Sequence, residues 1–296
     1  MEPLHSRLHC GGEQKDCEEM KSRLTANPEL LELPVTCLGQ GCECPPLMCA
    51  VRAGHYVCVE FLLQEGANPN ARGQKLASQE TPLFVALMER RIDLVKLLLQ
   101  NSASAMWHHT RDPTREIINY LTLASMNGQV HMLRLLFEYG AQPNMVTPDS
   151  HILTPAQTAI RHNQVESLRV LLLFGSKIKE ENYSLLHSTI QSSRYQTKRW
   201  ENKKRILELL KNFGANIWEK NKDNQTVFDV INDPKYPRLP ARELSYALED
   251  ITSEPLSLQA LSRIAIRDAI GPENYLKVVP SLPLPPMVLA FLNYSF

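Results

Sequence analysis

From residue 45 to about residue 232 the apolar positions recur in paired blocks. A first block of seven or eight residues is followed by a short polar break. A second block then ends on Val or Leu, two residues, and a Leu-Leu or Leu-Phe pair. The second blocks place Val59, Leu62 and Leu63; Val95, Leu98 and Leu99; Leu133, Leu136 and Phe137; and Leu168, Leu171 and Leu172 at this spacing. Intervals of three and four put such side chains on one face of a helix. Each unit is therefore predicted as a helix, a tight turn and a second helix. A small residue marks the same place in the first blocks, at Ala50, Ala86, Ala124 and Ala159, with steps of 36, 38 and 35 residues. Units of this length cover their apolar faces only against their neighbours, which predicts an all-α stack of helix pairs.

Punctuation supports the pattern. Gly66, Gly140 and Gly175 follow the second helices, where a left-handed residue ends a helix, and Ser102 stands at that place in unit two. The turn inside each pair carries Gly54, Gly128 or Asn163, all tolerant of positive φ, but Arg90 in unit two. Either Arg90 takes a left-handed backbone or that turn is built differently. A fifth unit is stretched: 184–189 align with a first helix, Leu207, Leu210 and Gly214 with a second helix and its cap, and 191–200 form an insertion. A sixth is half present at 223–229, and 241–251 read as a short helix able to cover the last repeat.

Thr81-Pro82-Leu83-Phe84-Val85-Ala86 places a threonine cap and a first-turn proline where helix physics prefers them. This run resembles the T-P-L-H-x-A hallmark of the ankyrin repeat. The resemblance implies an ankyrin-repeat solenoid of about five to six repeats over 45–232. Before it, 1–44 form an N-terminal extension, partly disordered, with a possible capping helix within 17–33. After it, 233–255 form a linker with a short helix.

The remaining segment, 256–296, has a different pattern. Leu258, Leu261, Ala265, Ile266, Ala269 and Ile270 share one helical face, and Gly271-Pro272 ends that helix. A β-like Val278-Val279 pair follows. Three prolines within 283–286 then impose a stiff extended run, and Met287–Leu292 make an apolar tail. So much apolar surface is covered either by the chain's own core or by a partner. The segment resembles the SOCS box, a small helical module. Ser257-Leu258, Ser262 and Ile266 fit its elongin-contacting motif, with Ser262 where the family has cysteine. The more polar serine is expected to weaken that contact somewhat. Leu282-Pro283-Leu284-Pro285 matches its cullin-selecting motif. The resemblance implies elongin B/C held by Leu258, Leu261, Ser262 and Ile266. It also implies a cullin of the fifth type, with its RING subunit, held by Leu282, Pro283, Leu284 and Pro285.

Charge and composition narrow the rest. Lys+Arg and Asp+Glu both number 32 in 296 residues, so no global basic excess points to nucleic acid or an anionic membrane. No apolar run reaches membrane-spanning length, and 1–14 are too polar for a signal peptide. The seven cysteines are then expected as free thiols in the cytoplasm or nucleus, with Cys49 and Cys58 as small core residues. Cys10, Cys17, Cys37, Cys42 and Cys44 follow no familiar zinc-finger spacing, so no metal is expected. Phosphate-cradling glycine loops, H-E-x-x-H and nucleophile elbows are absent, so neither enzymatic chemistry nor a cofactor is expected.

Candidate substrate contacts are Trp107, His108, His109 and Arg111 on one finger, since Trp and Arg dominate binding hot spots, and Tyr195 and Trp200 in the insertion. Trp107 could instead fold inward, and the basic run at 194–205 could be a solvated helix end. The combination resembles the ankyrin repeat and SOCS box family. It implies a non-catalytic substrate-recognition subunit of an elongin B/C–cullin–RING ubiquitin ligase. The alternative is a scaffold that binds elongin B/C without recruiting a cullin.

Overall fold

A computed structural model of the chain describes residues 21–22, 24–33, 35–37, 42–72, 80–106, 108–110, 117–144, 153–180, 183–192, 200–235, 241–253 and 255–292. These fall into two compact units, one of Met1–Ala124 with Arg134–Ala141, the other of Ser125–Leu133 with Gln142–Phe296. Strands among the described residues are limited to three antiparallel hairpins. They pair β1 (Val35–Cys37) with β2 (Cys42–Cys44), β3 (His108–Thr110) with β4 (Ile117–Asn119), and β5 (Lys179–Glu180) with β6 (Tyr183–Ser184). Everything else of regular structure is helical, in the ankyrin arrangement.

In the first unit, α1 (Pro46–Ala53) and α2 (Tyr56–Gln64) form repeat one, and α3 (Pro82–Met88) and α4 (Ile92–Gln100) form repeat two. Val59, Leu62, Leu94, Val95 and Leu98 are fully buried, as the spacing of three and four requires. The Thr81 hydroxyl accepts from the Phe84 amide at 3.2 Å and shares a 2.5 Å hydrogen bond with the Tyr120 hydroxyl. That pairing satisfies a buried phenol, whose pKa burial pushes well above its usual value. Asn70 links successive fingers: its amide donates to the Ser102 carbonyl at 3.2 Å and its Oδ1 accepts from the Ser104 amide at 2.8 Å. Arg90 is exposed and has φ +56, so the turn of repeat two keeps its shape and arginine bears the strain. Cys44 and Cys49 are buried with their sulfurs 2.9 Å apart, whereas Cys58, expected as a free core thiol, is disulfide-bonded.

Helices α5 (Tyr120–Met126) and α6 (Val130–Glu138) make up repeat three. In the second unit, α7 (Pro155–Arg161) and α8 (Val165–Leu173) form repeat four. Here Thr154 and Gln157 complete a capping box. Asn144 repeats the Asn70 bridge, donating to the Gly175 carbonyl at 2.9 Å and accepting from the Lys177 amide at 2.9 Å. Repeat five pairs α9 (Leu185–Ser192) with a long α10 (Trp200–Asn212). Next, α11 (Val227–Asn232) starts on a capping box of Thr226 and Asp229. Helix α12 (Ala241–Ser253) packs on both α10 and α11 through buried Leu244, Ala247, Leu248 and Ile251. It thus stands where the second helix of a sixth pair would stand.

The basic run entering α10 is not simply solvated. Lys203 is buried, its ammonium donating to the Ile160 carbonyl at 3.0 Å and to Ser192 Oγ at 2.6 Å. Lys204 pairs with Asp250 on α12. The C-terminal segment forms α13 (Leu258–Ile270), α14 (Tyr275–Val278), a 3-10 turn at Val279–Ser281, and α15 (Pro286–Leu292). The valine pair is therefore helical rather than strand-like: Val279 is fully buried in the 3-10 turn, and that packing overrides its β preference.

Two expectations follow. Replacing exposed Arg90 by glycine removes a left-handed non-glycine residue, so Arg90→Gly should raise unfolding free energy by about 1 kcal/mol in urea titration. Burial pushes the Lys203 ammonium down to about 8 from 10.5. Between those pH values the unfolded chain holds a proton that the folded chain has lost. Stability from this group should therefore rise with pH across that window, by at most about 1.4 kcal/mol per pH unit, and be flat below it. Urea titrations at pH 7 to 10 should show a shallower rise for Lys203→Met than for the unsubstituted chain.

Candidate functional site

Helix α13 begins cleanly because the Ser257 hydroxyl accepts from the Ala260 amide at 3.1 Å. It ends at Gly271, whose amide donates to the Arg267 carbonyl at 2.9 Å and whose φ is +87. The two faces of the helix differ sharply. Leu258 is 82% exposed and Leu261 48%, with Ser262, Ala265 and Ala269 also in solvent. Ile266 and Ile270 are half-buried. Ser262 Oγ donates to the Leu258 carbonyl at 2.8 Å, so its proton has a partner before anything docks. That internal bond reduces the penalty for burying serine where cysteine is usual.

The inward face turns on a charged residue that periodicity did not single out. Arg267 is only 4% exposed, and Ala260, on the same face nearer the start of the helix, is equally buried. The Arg267 guanidinium donates to the carbonyls of Phe213 at 3.2 Å, Leu172 at 3.1 Å and Ser176 at 3.4 Å. It also lies 5.1 Å over the Phe213 ring. These carbonyls sit at the C-terminal ends of α8 and α10, where helix carbonyls lack intrahelical donors. The chain after α13 then passes over Gly175: a Cβ there would lie 2.7 Å from the Pro272 carbonyl oxygen. No local signal separates Arg267 from a solvated arginine; only the distant carbonyls do.

Beyond α14, the backbone is extended at Leu282, with φ −70 and ψ 139. Leu282 is half-buried, while Pro283, Leu284 and Pro285 are exposed. Pro286 opens α15, on which Met287 is 78% exposed and Leu292 is buried. The Tyr275 hydroxyl donates to the Leu292 carbonyl at 2.8 Å, tying α14 to the last described turn.

The candidate substrate contacts are placed less completely. Trp107, Arg111 and Tyr195 lie outside the described residues. His108 and His109 lie in β3, opposite Asn119 and Ile118, and Trp200 opens α10; their side chains are outside the description. A described aromatic that sequence reasoning passed over is Trp218. It is 65% exposed on the finger after repeat five and stacks on Phe228 with centroids 5.3 Å apart. Its position four residues beyond the Gly214 cap is the signal that could have found it.

Family models match the chain over most of this architecture. Models described as ankyrin repeats match residues 22–109 and 121–172, and the SOCS box model matches 254–293. Ankyrin repeat and SOCS box protein 5 of Oryctolagus cuniculus is 29% identical over 173 residues, 58% of this chain and 47% of that protein. Ankyrin repeat and SOCS box protein 11 of Homo sapiens is 34% identical over 96 residues, 32% of this chain and 27% of that protein. The chain thus spans between about a quarter and a half of the length of these relatives. Among solved structures, the ankyrin repeat domain of Bcl-3, described as a member of the IkappaB family, superposes with a TM-score of 0.60 at 19% identity. That match covers 81% of this chain and 95% of that one, and it establishes the ankyrin fold alone. With ankyrin helix pairs followed by a matched SOCS box, the chain belongs to the ankyrin repeat and SOCS box family.

Proposed function

We propose that the chain is the substrate-recognition subunit of an elongin B/C–cullin–RING ubiquitin ligase, a non-catalytic receptor working in the cytoplasm or nucleus. The observation that supports this most is Leu258, left 82% exposed on a capped helix whose opposite face is held by Arg267. Burying one such leucine contributes roughly 1.5–3 kcal/mol, and Leu261 offers a second on the same side. In this reading elongin C covers Leu258, Leu261 and Ser262, with Ile266 at the margin. Leu282, Pro283, Leu284 and Pro285 meet a cullin of the fifth type with its RING subunit.

The repeats hold a protein substrate, through fingers that include Trp107, His108, His109 and Arg111, and through Tyr195 and Trp200. Nothing in this role calls for a cofactor, nucleic acid or membrane, and no described helix is long and apolar enough to cross a bilayer. The chain supplies proximity: a substrate lysine is kept near a conjugating enzyme that carries ubiquitin on its own cysteine, which raises the effective concentration of the two.

Co-purification with elongin B/C, cullin and RING subunit tests the assignment. Leu258→Asp places a charge in the apolar contact and should abolish elongin binding. Its melting temperature should hardly move, because the side chain is in water in the free chain. Replacing Leu282, Pro283, Leu284 and Pro285 together by alanine should retain elongin B/C and lose the cullin. Wild-type elongin capture by Leu258→Asp would end the docking assignment. Elongin bound with no cullin by the unsubstituted chain would favour the scaffold reading.

A further inference from the structure

We infer that Arg267, together with the glycine-capped ends of repeats four and five, forms a seat that fixes the direction of the SOCS-box helix. The box, and any ligase bound to it, is then carried at a set position from these repeats instead of on a tether. The ligase part of this statement rests on the function proposed above; the seat does not.

The electrostatics favour one orientation. Each helix C-terminus carries about half a unit of negative charge, and Arg267 reaches carbonyls at the ends of both α8 and α10. One guanidinium thus faces roughly its own charge in helix-end dipoles. The planar fork serves several acceptors at once, which a lysine ammonium cannot do with the same geometry. Rotating α13 would withdraw these carbonyls from a charge that is 4% exposed, and an uncompensated buried charge is strongly disfavoured. The face bearing Leu258 and Leu261 is outward because Arg267 is inward.

Sterics give the same answer independently. A Cβ on Gly175 would lie 2.7 Å from the Pro272 carbonyl oxygen and 2.8 Å from Glu273 Cα, both main chain. A Cβ on Gly214 would lie 3.1 Å from Ile264 Cγ2 on α13. The equivalent caps of repeats one and three, Gly66 and Gly140, have nothing within 4 Å of that position. Close approach is therefore not a general property of these caps. It belongs to the two repeats on which the box rests. Arg267 acts here as a positioning residue, since the surface proposed for elongin lies on the other face.

The four caps supply their own control. Gly140→Ala and Gly175→Ala impose the same left-handed strain, at φ +88 and +96, but only Gly175→Ala drives a methyl group into the box. In the free full-length chain, Gly175→Ala should speed amide hydrogen exchange within Leu258–Ile270 by about tenfold or more, and Gly140→Ala should leave it unchanged. Arg267→Met should reproduce the effect, and Arg267→Lys should not rescue it. Calorimetry with purified elongin B/C should give the same affinity for Arg267→Met as for the unsubstituted chain, within about twofold.

In a reconstituted ligase, with the chain's own lysines as the probe, mass spectrometry should find a broader set of modified lysines in Arg267→Met and Gly175→Ala. Unchanged exchange in both variants would overturn the seat. An unchanged lysine pattern would overturn its role in setting reach. Failure of the unsubstituted chain to bind elongin B/C would instead overturn the ligase reading and leave the exchange comparison standing.

Discussion

Each second helix of the first five repeats must turn back on itself within two residues, and this constraint shapes everything after it. In every case a residue of positive φ follows the helix, and the next amide donates back to a carbonyl five residues earlier. The bonds run from Ala67 to Leu62, Ala103 to Leu98, Ala141 to Leu136, Ser176 to Leu171 and Ala215 to Leu210, all at 2.9–3.0 Å. This closure directs the chain into its finger and, through Asn70 and Asn144, places that finger against the next. Repeat two makes the same bond with Ser102 at φ +66, so the hydrogen-bond pattern, not glycine itself, is what the fold requires.

The helices were readable from sequence because their burial is periodic and local: leucines three and four apart can only be covered from one side. The turn at Arg90 was readable in position but not in conformation, since only its backbone angle, φ +56, separates strain from a different turn. Arg267 and Lys203 were unreadable for a shared reason. Lys203 stands in a charged run and Arg267 between Ile266 and Asp268, yet each is satisfied by main-chain oxygens far away in sequence, for Lys203 the Ile160 carbonyl and for Arg267 the Leu172 carbonyl. A residue alphabet records side chains, whereas these partners are helix ends, which every sequence possesses. The Val278-Val279 pair misled through the opposite bias, because intrinsic β preference counts for little in a short segment whose packing is decided elsewhere.

The SOCS-box helix shows what periodicity does and does not convey. Its apolar positions predicted a face but not a direction, and the structure divides that face. Ile266 and Ile270 lean toward the chain while Leu258 and Leu261 face solvent. The firm attachment is polar: a guanidinium over carbonyls and an aromatic ring. A helix anchored by hydrogen bonds on one side keeps its best hydrophobic groups for the other, which an apolar anchor on the same narrow helix would have used up.

Leaving those groups uncovered has a consequence for how much of the protein a solution can hold. Leu258, Leu261, Met287 and Val288 are all exposed in the C-terminal segment, and large apolar groups left in water favour self-association. The unassembled chain is accordingly the form most open to aggregation and to cellular triage, while any protein that covers this end removes the hazard by mass action. The steady-state amount of this chain should therefore follow the supply of whatever caps its C-terminal helices, and synthesis in excess of that supply should yield little additional soluble protein.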